Sequence, residues 1–335
     1  MRGVPRPADR IGGNWPANSG SPRYTFVVVE LDLPDLVRQR ALRNGAAGMR
    51  WLAELPRVVA GLAQRWGLAL GETFTGGTAG YVLAAIDTSG RACVLKIAMP
   101  LDMDDRDTFT RSVRAHELAA GRGCAELYAY DASVPAMLLE RLGPNLAELD
   151  LSVPAILDAI TGTLRSFWRP VTEGEGLRTG ADQARWLARY IADTWDELGQ
   201  PCERAVIDHA LRLCAQRIEA FDPAKAVLVH GDAHGWNTLD AGGGTYKFVD
   251  AEGLWSEREH DLSVAMREYN EPLVQGDTPR LVRERAELLA ERCSVDAQAV
   301  WEWGFIERVS TGLANARDLD NDNGATFLEV ARRCL

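Results

Sequence analysis

The change in hydrophobic pattern near residue 143 constrains the fold of this chain more than any other feature of its sequence. From Leu68 to Leu142, short apolar runs alternate with polar or glycine-rich turns, which is typical of antiparallel strands. One charged helical stretch, 102–120, interrupts them. Beyond Gly143, apolar residues recur mostly at helical spacing. We therefore expect an α+β fold in which a small antiparallel sheet with one crossing helix is joined to a larger helical lobe.

Composition divides the 335 residues into three parts. Residues 1–22 are rich in Gly, Pro, Ser and Arg, which predicts a disordered tail. Residues 23–142 contain a helical lead-in followed by the sheet, and residues 143–335 form the helical lobe. Within the lead-in, Pro56 is expected to begin a second helix, because proline is tolerated in the first turn.

The charge balance excludes one class of partner and favours another. Lysine and arginine number 37 against 48 acidic residues, a formal net charge of −11. Such a chain is poorly suited to the nucleic-acid backbone but suits a cationic small molecule. No apolar run approaches the ~20 residues that span a bilayer. Six scattered cysteines without a C-x-x-C pair favour a reducing, cytoplasmic location. Nothing in the sequence indicates an oligomeric state.

A polar loop interrupts the helical half of the chain between two short apolar strands. His230, Asp232 and Asn237 have the order and spacing of a kinase catalytic loop, and Asp250 ends the apolar strand that follows. Phosphoryl transfer needs a carboxylate to orient and deprotonate a hydroxyl, and oxygen ligands to hold magnesium on the nucleotide phosphates. The pattern predicts that Asp232 is the catalytic residue and that Asn237 and Asp250 bind Mg²⁺.

The two histidines of this loop allow different interpretations. His230 could act in catalysis, but its position favours a structural role in which the ring bonds neighbouring backbone and fixes the loop. For His234 the sequence does not decide between the two.

Lys96, one of only three lysines, lies in the apolar run Cys93–Ile97. A buried ammonium is costly unless it meets an anion, so we expect Lys96 to hold nucleotide phosphates. Glu117, in the helix that follows, is the candidate for its carboxylate partner. The alternatives are that Glu117 is a solvated charge on the helix surface and that Lys96 extends to solvent from an edge strand.

Two further segments are candidates for nucleotide contacts. Gly76, Gly77 and Thr78 lie between two strands, where main-chain amides could close over a triphosphate, although a tight hairpin explains them equally well. Glu140 and Leu142 end the last strand before the helical half, where a two-lobed kinase binds adenine through backbone groups. That segment could also be an ordinary terminal strand. ATP is the expected cofactor.

These motifs together resemble the aminoglycoside phosphotransferase family, in particular its streptomycin 6-phosphotransferase branch, the aminoglycoside/hydroxyurea antibiotic resistance kinases. The similarity runs from about Thr25 to the carboxyl end. It implies a protein-kinase-like bilobal fold, ATP with Mg²⁺, and transfer of the γ-phosphoryl group to an antibiotic hydroxyl. The segments that carry it are Trp51–Pro56, Gly76–Thr78, Val94–Lys96, Leu138–Leu142, Val229–Asn237 and Val249–Leu254.

The chain departs from that branch at two positions. Glu252 stands where its members commonly have lysine, a change that could alter the charge preference for the acceptor. His260 stands in place of tyrosine, beside Asp261, which we expect to order the catalytic loop.

Three other functions are compatible with parts of the sequence. The acceptor could be a non-antibiotic sugar or another small metabolite, or the chain could be an inactive kinase-fold binding protein. The stretch Gly231–Gly235 also matches the opening of metallophosphoesterases, but those enzymes need an Asn-His pair. None of the five histidines follows an asparagine, which disfavours this class.

Overall fold

The computed structural model describes residues 31–75, 80–100, 107–172, 175–318 and 322–335. The tail predicted at residues 1–22 and the turn Gly76–Thr78 lie outside the described residues. The described part is an antiparallel sheet followed by a mostly helical region, so the predicted α+β class is confirmed.

Two helices precede the sheet, α1 (Asp35–Arg43) and α2 (Gly45–Trp66). The prediction that Pro56 begins a helix was wrong, because α2 continues through it. Proline removes one helical hydrogen bond and costs about 3 kcal/mol. The stripe of Leu55, Val59 and Leu62 on α2 is buried against the sheet, and this burial offsets the loss.

The sheet has five antiparallel strands in the order β1-β2-β3-β5-β4. Lys96 lies in the central strand, opposite Val82 on one side and Met137 on the other. The alternative in which Lys96 reaches solvent from an edge strand is therefore wrong. In the described part of the connection from β3 to β4, the chain forms one helix, α3 (Thr108–Ala119). The strands are β1 (Ala69–Thr73), β2 (Gly80–Ile86), β3 (Ala92–Ala98), β4 (Leu127–Asp131) and β5 (Ala136–Glu140).

Helix α10 forms the centre of the larger lobe. It packs against α5, α6, α7, α9 and α11, and it buries Trp303, Ile306 and Val309. The helices of this lobe are α4 (Val153–Phe167), α5 (Gly180–Glu197), α6 (Arg204–Ala220), α7 (Arg258–Arg267), α8 (Glu271–Gln275), α9 (Thr278–Cys293), α10 (Ala297–Asp318) and α11 (Asp322–Arg333).

Short strands in this lobe bring the predicted site residues together. Strand β10 lies between β6 and β7 in a three-stranded sheet, and β8 and β9 form a hairpin. The loops after β7 and β9 consequently run side by side. These strands are β6 (Arg178–Thr179), β7 (Val227–Val229), β8 (Thr238–Gly242), β9 (Thr245–Phe248) and β10 (Leu254–Ser256).

The β8–β9 hairpin contacts the end of the five-stranded sheet. The main-chain N–H of Gly143 donates to the carbonyl oxygen of Asp240 at 2.7 Å. Lys247 Nζ donates to Glu140 Oε2 at 2.6 Å. These bonds fix the connection between the two lobes and leave a cleft lined by β3 and by the loops after β7 and β9.

All six cysteines are free thiols. Within the described ranges, no helix has the length and apolar character needed to cross a membrane.

Candidate active site

The loop from His230 to Asn237 leaves β7, ends in a 3-10 turn at Gly235–Asn237 and enters β8. Gly231 adopts φ 90°, a backbone conformation that favours glycine. A Cβ atom there would lie 2.9 Å from Leu254 Cδ1 and 3.0 Å from Glu252 Oε2. The sharp turn before Asp232 therefore depends on the absence of a side chain.

Asp261 holds the start of this loop from helix α7. Its fully buried carboxylate accepts hydrogen bonds from the main-chain N–H groups of His230 at 2.8 Å and Gly231 at 2.7 Å. The indole N–H of Trp168 donates to it at 2.7 Å. Three donors thus share one carboxylate as acceptor, and the prediction that Asp261 orders this loop is confirmed.

His230 has the structural role that its position favoured. Its Nδ1 accepts from the main-chain N–H of Asp232 at 3.2 Å, and its Nε2 donates to the carbonyl oxygen of Val249 at 2.9 Å. Burial lowers the pKa of the ring, which keeps it neutral, as this bonding requires. His230 thereby joins the loop to the strand end that carries Asp250.

Asp232 is surrounded by donors. Arg267 Nη2 donates to Oδ1 at 2.8 Å, while Asn237 Nδ2 at 3.0 Å and His234 Nε2 at 3.2 Å meet Oδ2. Burial alone would raise the pKa of Asp232, but His234 and Arg267 hold it well below its ordinary value. Burial likewise opposes protonation of His234, yet the charge of Asp232 raises the pKa of that ring. The carboxylate of Asp232 is therefore ionised, and Asn237 lies on the same side of the loop.

Lys96 and Asp250 meet across the cleft in a direct ion pair. Burial would raise the pKa of Asp250, but Lys96 lowers it below the ordinary value. The main-chain N–H of Val249 donates to the carbonyl oxygen of Asn237 at 2.9 Å, which ties the two predicted magnesium ligands together. Asp250 has φ 64°, a strained conformation for a residue with a side chain and a feature found at functional sites.

The expected pairing of Lys96 with Glu117 is not formed. Glu117 accepts from Arg114 at 3.1 Å, one turn earlier on α3, and it is exposed enough to be a surface charge. The neighbouring His116 is instead among the buried residues of α3, and its Nδ1 lies 2.9 Å from the carbonyl oxygen of Ala125. Packing has therefore fixed the rotation of α3 so that Lys96 pairs with Asp250 instead.

The two residues predicted at the hinge differ in what they contact. The carboxylate of Glu140 accepts from Lys247 and, at 3.0 Å, from the main-chain N–H of Glu126. The main-chain N–H and carbonyl oxygen of Leu142 make no hydrogen bond within the described part of the chain. Leu142 therefore offers backbone groups to a ligand, whereas the Glu140 side chain holds the hinge in place.

Sequence reasoning missed Arg267, the last residue of α7. It is only 8% exposed, and an arginine at the end of the apolar run Leu262–Met266 was the available signal. Glu252 was noted only as a charge reversal. It is half-buried beside Gly231, and burial, followed by the charge of Asp232, raises its pKa to about 8. No described residue forms an ion pair with it.

The sheet, the helical lobe and the cleft with its lysine, two aspartates and asparagine define a protein-kinase-like fold. A choline kinase from Streptococcus pneumoniae shares this fold, with a TM-score of 0.56 at 11% identity, over 84% of this chain and 98% of that one. The predicted fold class is thus confirmed.

Sequence comparison gives the family. The model described as aminoglycoside/hydroxyurea antibiotic resistance kinase matches residues 65–320, and the chain belongs to that family of kinases. Streptomycin 6-kinase of Streptomyces glaucescens is 27% identical, covering 88% of this chain and 93% of its own length. Hydroxyurea phosphotransferase of Kitasatospora aureofaciens is 28% identical, and the match covers 88% of this chain and 83% of that protein. Membership implies that the enzyme is a phosphotransferase that uses a nucleotide and a small-molecule acceptor.

Proposed function

We propose that this protein transfers the γ-phosphoryl group of ATP to a hydroxyl of a cationic aminoglycoside-type antibiotic such as streptomycin. The observation that carries the proposal is the convergence of Lys96, Asp232, Asn237 and Asp250, which come from three separate parts of the chain. Phosphoryl transfer depends mainly on positioning and on electrostatic stabilisation, and these four groups are of the types it needs.

The nucleotide would lie between the two lobes. Lys96, which forms an ion pair with Asp250, would hold phosphate oxygens of the nucleotide, as the corresponding lysine of protein kinases does. The backbone groups of Leu142, which make no hydrogen bond to the described residues, would meet the adenine ring. Gly76, Gly77 and Thr78 are proposed to cover the phosphates from the turn between β1 and β2.

The side chains of Asn237 and Asp250 are suitable ligands for Mg²⁺. Both offer oxygen atoms, which this ion prefers, and a main-chain bond keeps them adjacent. Among the described residues, no group of three or more His, Cys, Asp or Glu could hold a metal by itself. Mg²⁺ is commonly held by one or two protein carboxylates together with substrate phosphates. When bound, the ion would neutralise charge on the phosphates.

Asp232 would act on the acceptor. Its ionised carboxylate can orient a hydroxyl and take the proton as the oxygen bonds to the γ-phosphorus. Asn237, which donates to Oδ2, keeps that carboxylate in the cleft.

The charges near Asp232 favour a cationic acceptor. The Glu252 carboxylate lies beside Gly231, next to the catalytic aspartate, without an ion-pair partner in the described structure. An ammonium or guanidinium group of the acceptor would supply one, and by stabilising the ionised form it would lower the raised pKa of Glu252. The acidic net charge of −11 and the streptomycin 6-kinase relatives support the same choice.

The test is a screen of the purified protein with ATP and Mg²⁺ against streptomycin, other aminoglycosides, hydroxyurea and plain sugars. ADP release is measured and each product is identified by mass spectrometry. We expect phosphorylated streptomycin, and a loss of about 10²–10⁴ in kcat for Asp232→Asn. The control Asp208→Asn changes a surface aspartate that pairs with Arg204.

Two results would contradict the proposal. Transfer to plain sugars but to no aminoglycoside would make the enzyme a metabolite kinase. Binding of ATP without transfer to any acceptor would make it a binding protein.

A further inference from the structure

The guanidinium of Arg267 is buried at the end of α7 and is shared among carboxylates. Nη2 donates to Asp232 Oδ1 at 2.8 Å, and Nη1 donates to Glu307 Oε2 at 2.7 Å. Nε lies 3.4 Å from Glu268 Oε1. A buried cation needs such partners, but one of them is the proposed catalytic base, and stability alone does not require that contact.

The contact decides which oxygen of Asp232 faces the acceptor. Arg267 donates to Oδ1 and holds the carboxylate in one orientation, with Oδ2 turned toward Asn237 and His234. That oxygen is already met by Asn237 at 3.0 Å and by His234 at 3.2 Å. The acceptor hydroxyl would replace the longer of these two contacts, that of His234. One oxygen is therefore held in place while the other is available for the proton.

A residue of the central helix α10, Glu307, fixes the position of the Arg267 guanidinium. Glu307 lies on α10, is nearly fully buried, and has its other oxygen 3.4 Å from His260 Nε2. The pair Arg267–Glu307 thus connects the core of the large lobe to the base. Without the guanidinium, the carboxylates of Asp232 and Glu307 would lose the cation that lies between them.

We propose that Arg267, fixed by Glu307, is a positioning residue that orients Asp232 for phosphoryl transfer. This rests on the proposed function, and it adds a residue that neither the catalytic motif nor the comparisons identify. It predicts that loss of Arg267 lowers kcat while leaving the KM for ATP unchanged, because Arg267 touches the base and not the nucleotide residues. Misplacement of a reacting group by about 1 Å can cost about 100-fold in rate.

The chain contains a matched control in Arg217. Its side chain is 13% exposed against 10% for Arg267, and it also pairs with two glutamates, Glu257 and Glu302. Glu302 lies on α10, as Glu307 does. Arg217 makes no contact with Asp232, so its loss weakens the fold in a similar way without touching the base.

The experiment compares Arg267→Ala and Arg267→Lys with Arg217→Ala and Arg217→Lys. Thermal unfolding and ATP binding establish the folded fraction, and kcat per folded enzyme is measured on the acceptor that the wild type phosphorylates. We expect kcat to fall about 100-fold in Arg267→Ala and about tenfold in Arg267→Lys, since lysine keeps the charge but not the planar fork. The Arg217 variants should stay within about twofold of wild type. Added guanidinium ion should restore part of the rate in Arg267→Ala and none in Arg217→Ala.

The outcomes separate this proposal from the function on which it rests. If the Arg267 variants keep kcat within about twofold of their Arg217 counterparts, the positioning role is wrong while the kinase assignment stands. Arg267→Lys decides the matter if Arg267→Ala does not fold. A wild-type enzyme that transfers phosphate to no acceptor instead contradicts the proposed function.

Discussion

Replacing Asp261 with asparagine changes a single atom of the side chain that holds the catalytic loop. The carboxylate accepts one hydrogen bond at Oδ1, from Gly231, and two at Oδ2, from His230 and Trp168. Asparagine keeps the shape but has only one acceptor oxygen. Whichever way the amide turns, its NH₂ group faces at least one buried N–H donor.

The structure sets the size of the effect. The better orientation keeps the oxygen toward His230 and Trp168 and leaves the N–H of Gly231 without an acceptor. An orphaned buried donor costs about 1–3 kcal/mol, and hydrogen bonds to a charged group contribute about 1.5–3 kcal/mol. We expect Asp261→Asn to lower the free energy of unfolding by about 3–5 kcal/mol. Trp168→Phe, which removes one donor and leaves the carboxylate intact, should lose less, about 1.5–3 kcal/mol.

Urea unfolding measures both variants, and kcat is measured on the folded fraction. Asp261→Asn should also lose activity, because Gly231 immediately precedes Asp232 and a displaced loop misplaces the base. If Asp261→Asn is no less stable than Trp168→Phe, the carboxylate does not anchor the loop in the way that we describe.

Three further predictions follow from the same geometry. Gly231→Ala should lower the free energy of unfolding in urea by about 2 kcal/mol or more. The control Gly243→Ala should lose less, because Gly243 also has a positive φ but has open space around it. Equal losses would contradict the close approach at Gly231. Burial lowers the pKa of His116 from 6.5 to about 4. Between these values the unfolded chain binds a proton that the folded chain does not, so the free energy of unfolding should fall by about 3 kcal/mol as the pH falls from 6.5 to 4. His116→Gln should lose less stability over the same acid titration. Glu252→Gln should raise the KM for streptomycin about tenfold and leave that for uncharged hydroxyurea unchanged; equal effects on both would refute a cation contact.

The part of the site that lies close together in sequence could be predicted. Asp232, Asn237 and Asp250 fall within one loop and one hairpin, so their spacing alone nearly determines their relative positions. The burial of Lys96 follows from its apolar strand. The structural role of His230 follows from its position two residues before Asp232, whereas the role of Asp261 follows from the resemblance to the phosphotransferase family.

The remainder depends on packing between distant elements. Glu117 and His116 are adjacent in sequence, and only the rotation of α3 against the sheet decides which of them turns inward. Arg267 reaches Asp232 across 35 residues of sequence, and no local pattern reports that contact. Helix α2 continues through Pro56 because burial of its apolar stripe against the sheet outweighs the unfavourable helix propensity of proline.

Phosphorus-31 NMR of the protein with ATP, Mg²⁺ and streptomycin tests the central claim most directly. The account predicts that the γ-phosphorus signal of ATP declines while a phosphomonoester signal on streptomycin grows, and that Asp232→Asn binds ATP but forms almost no ester. Release of inorganic phosphate alone, or equal ester formation by Asp232→Asn, would contradict it.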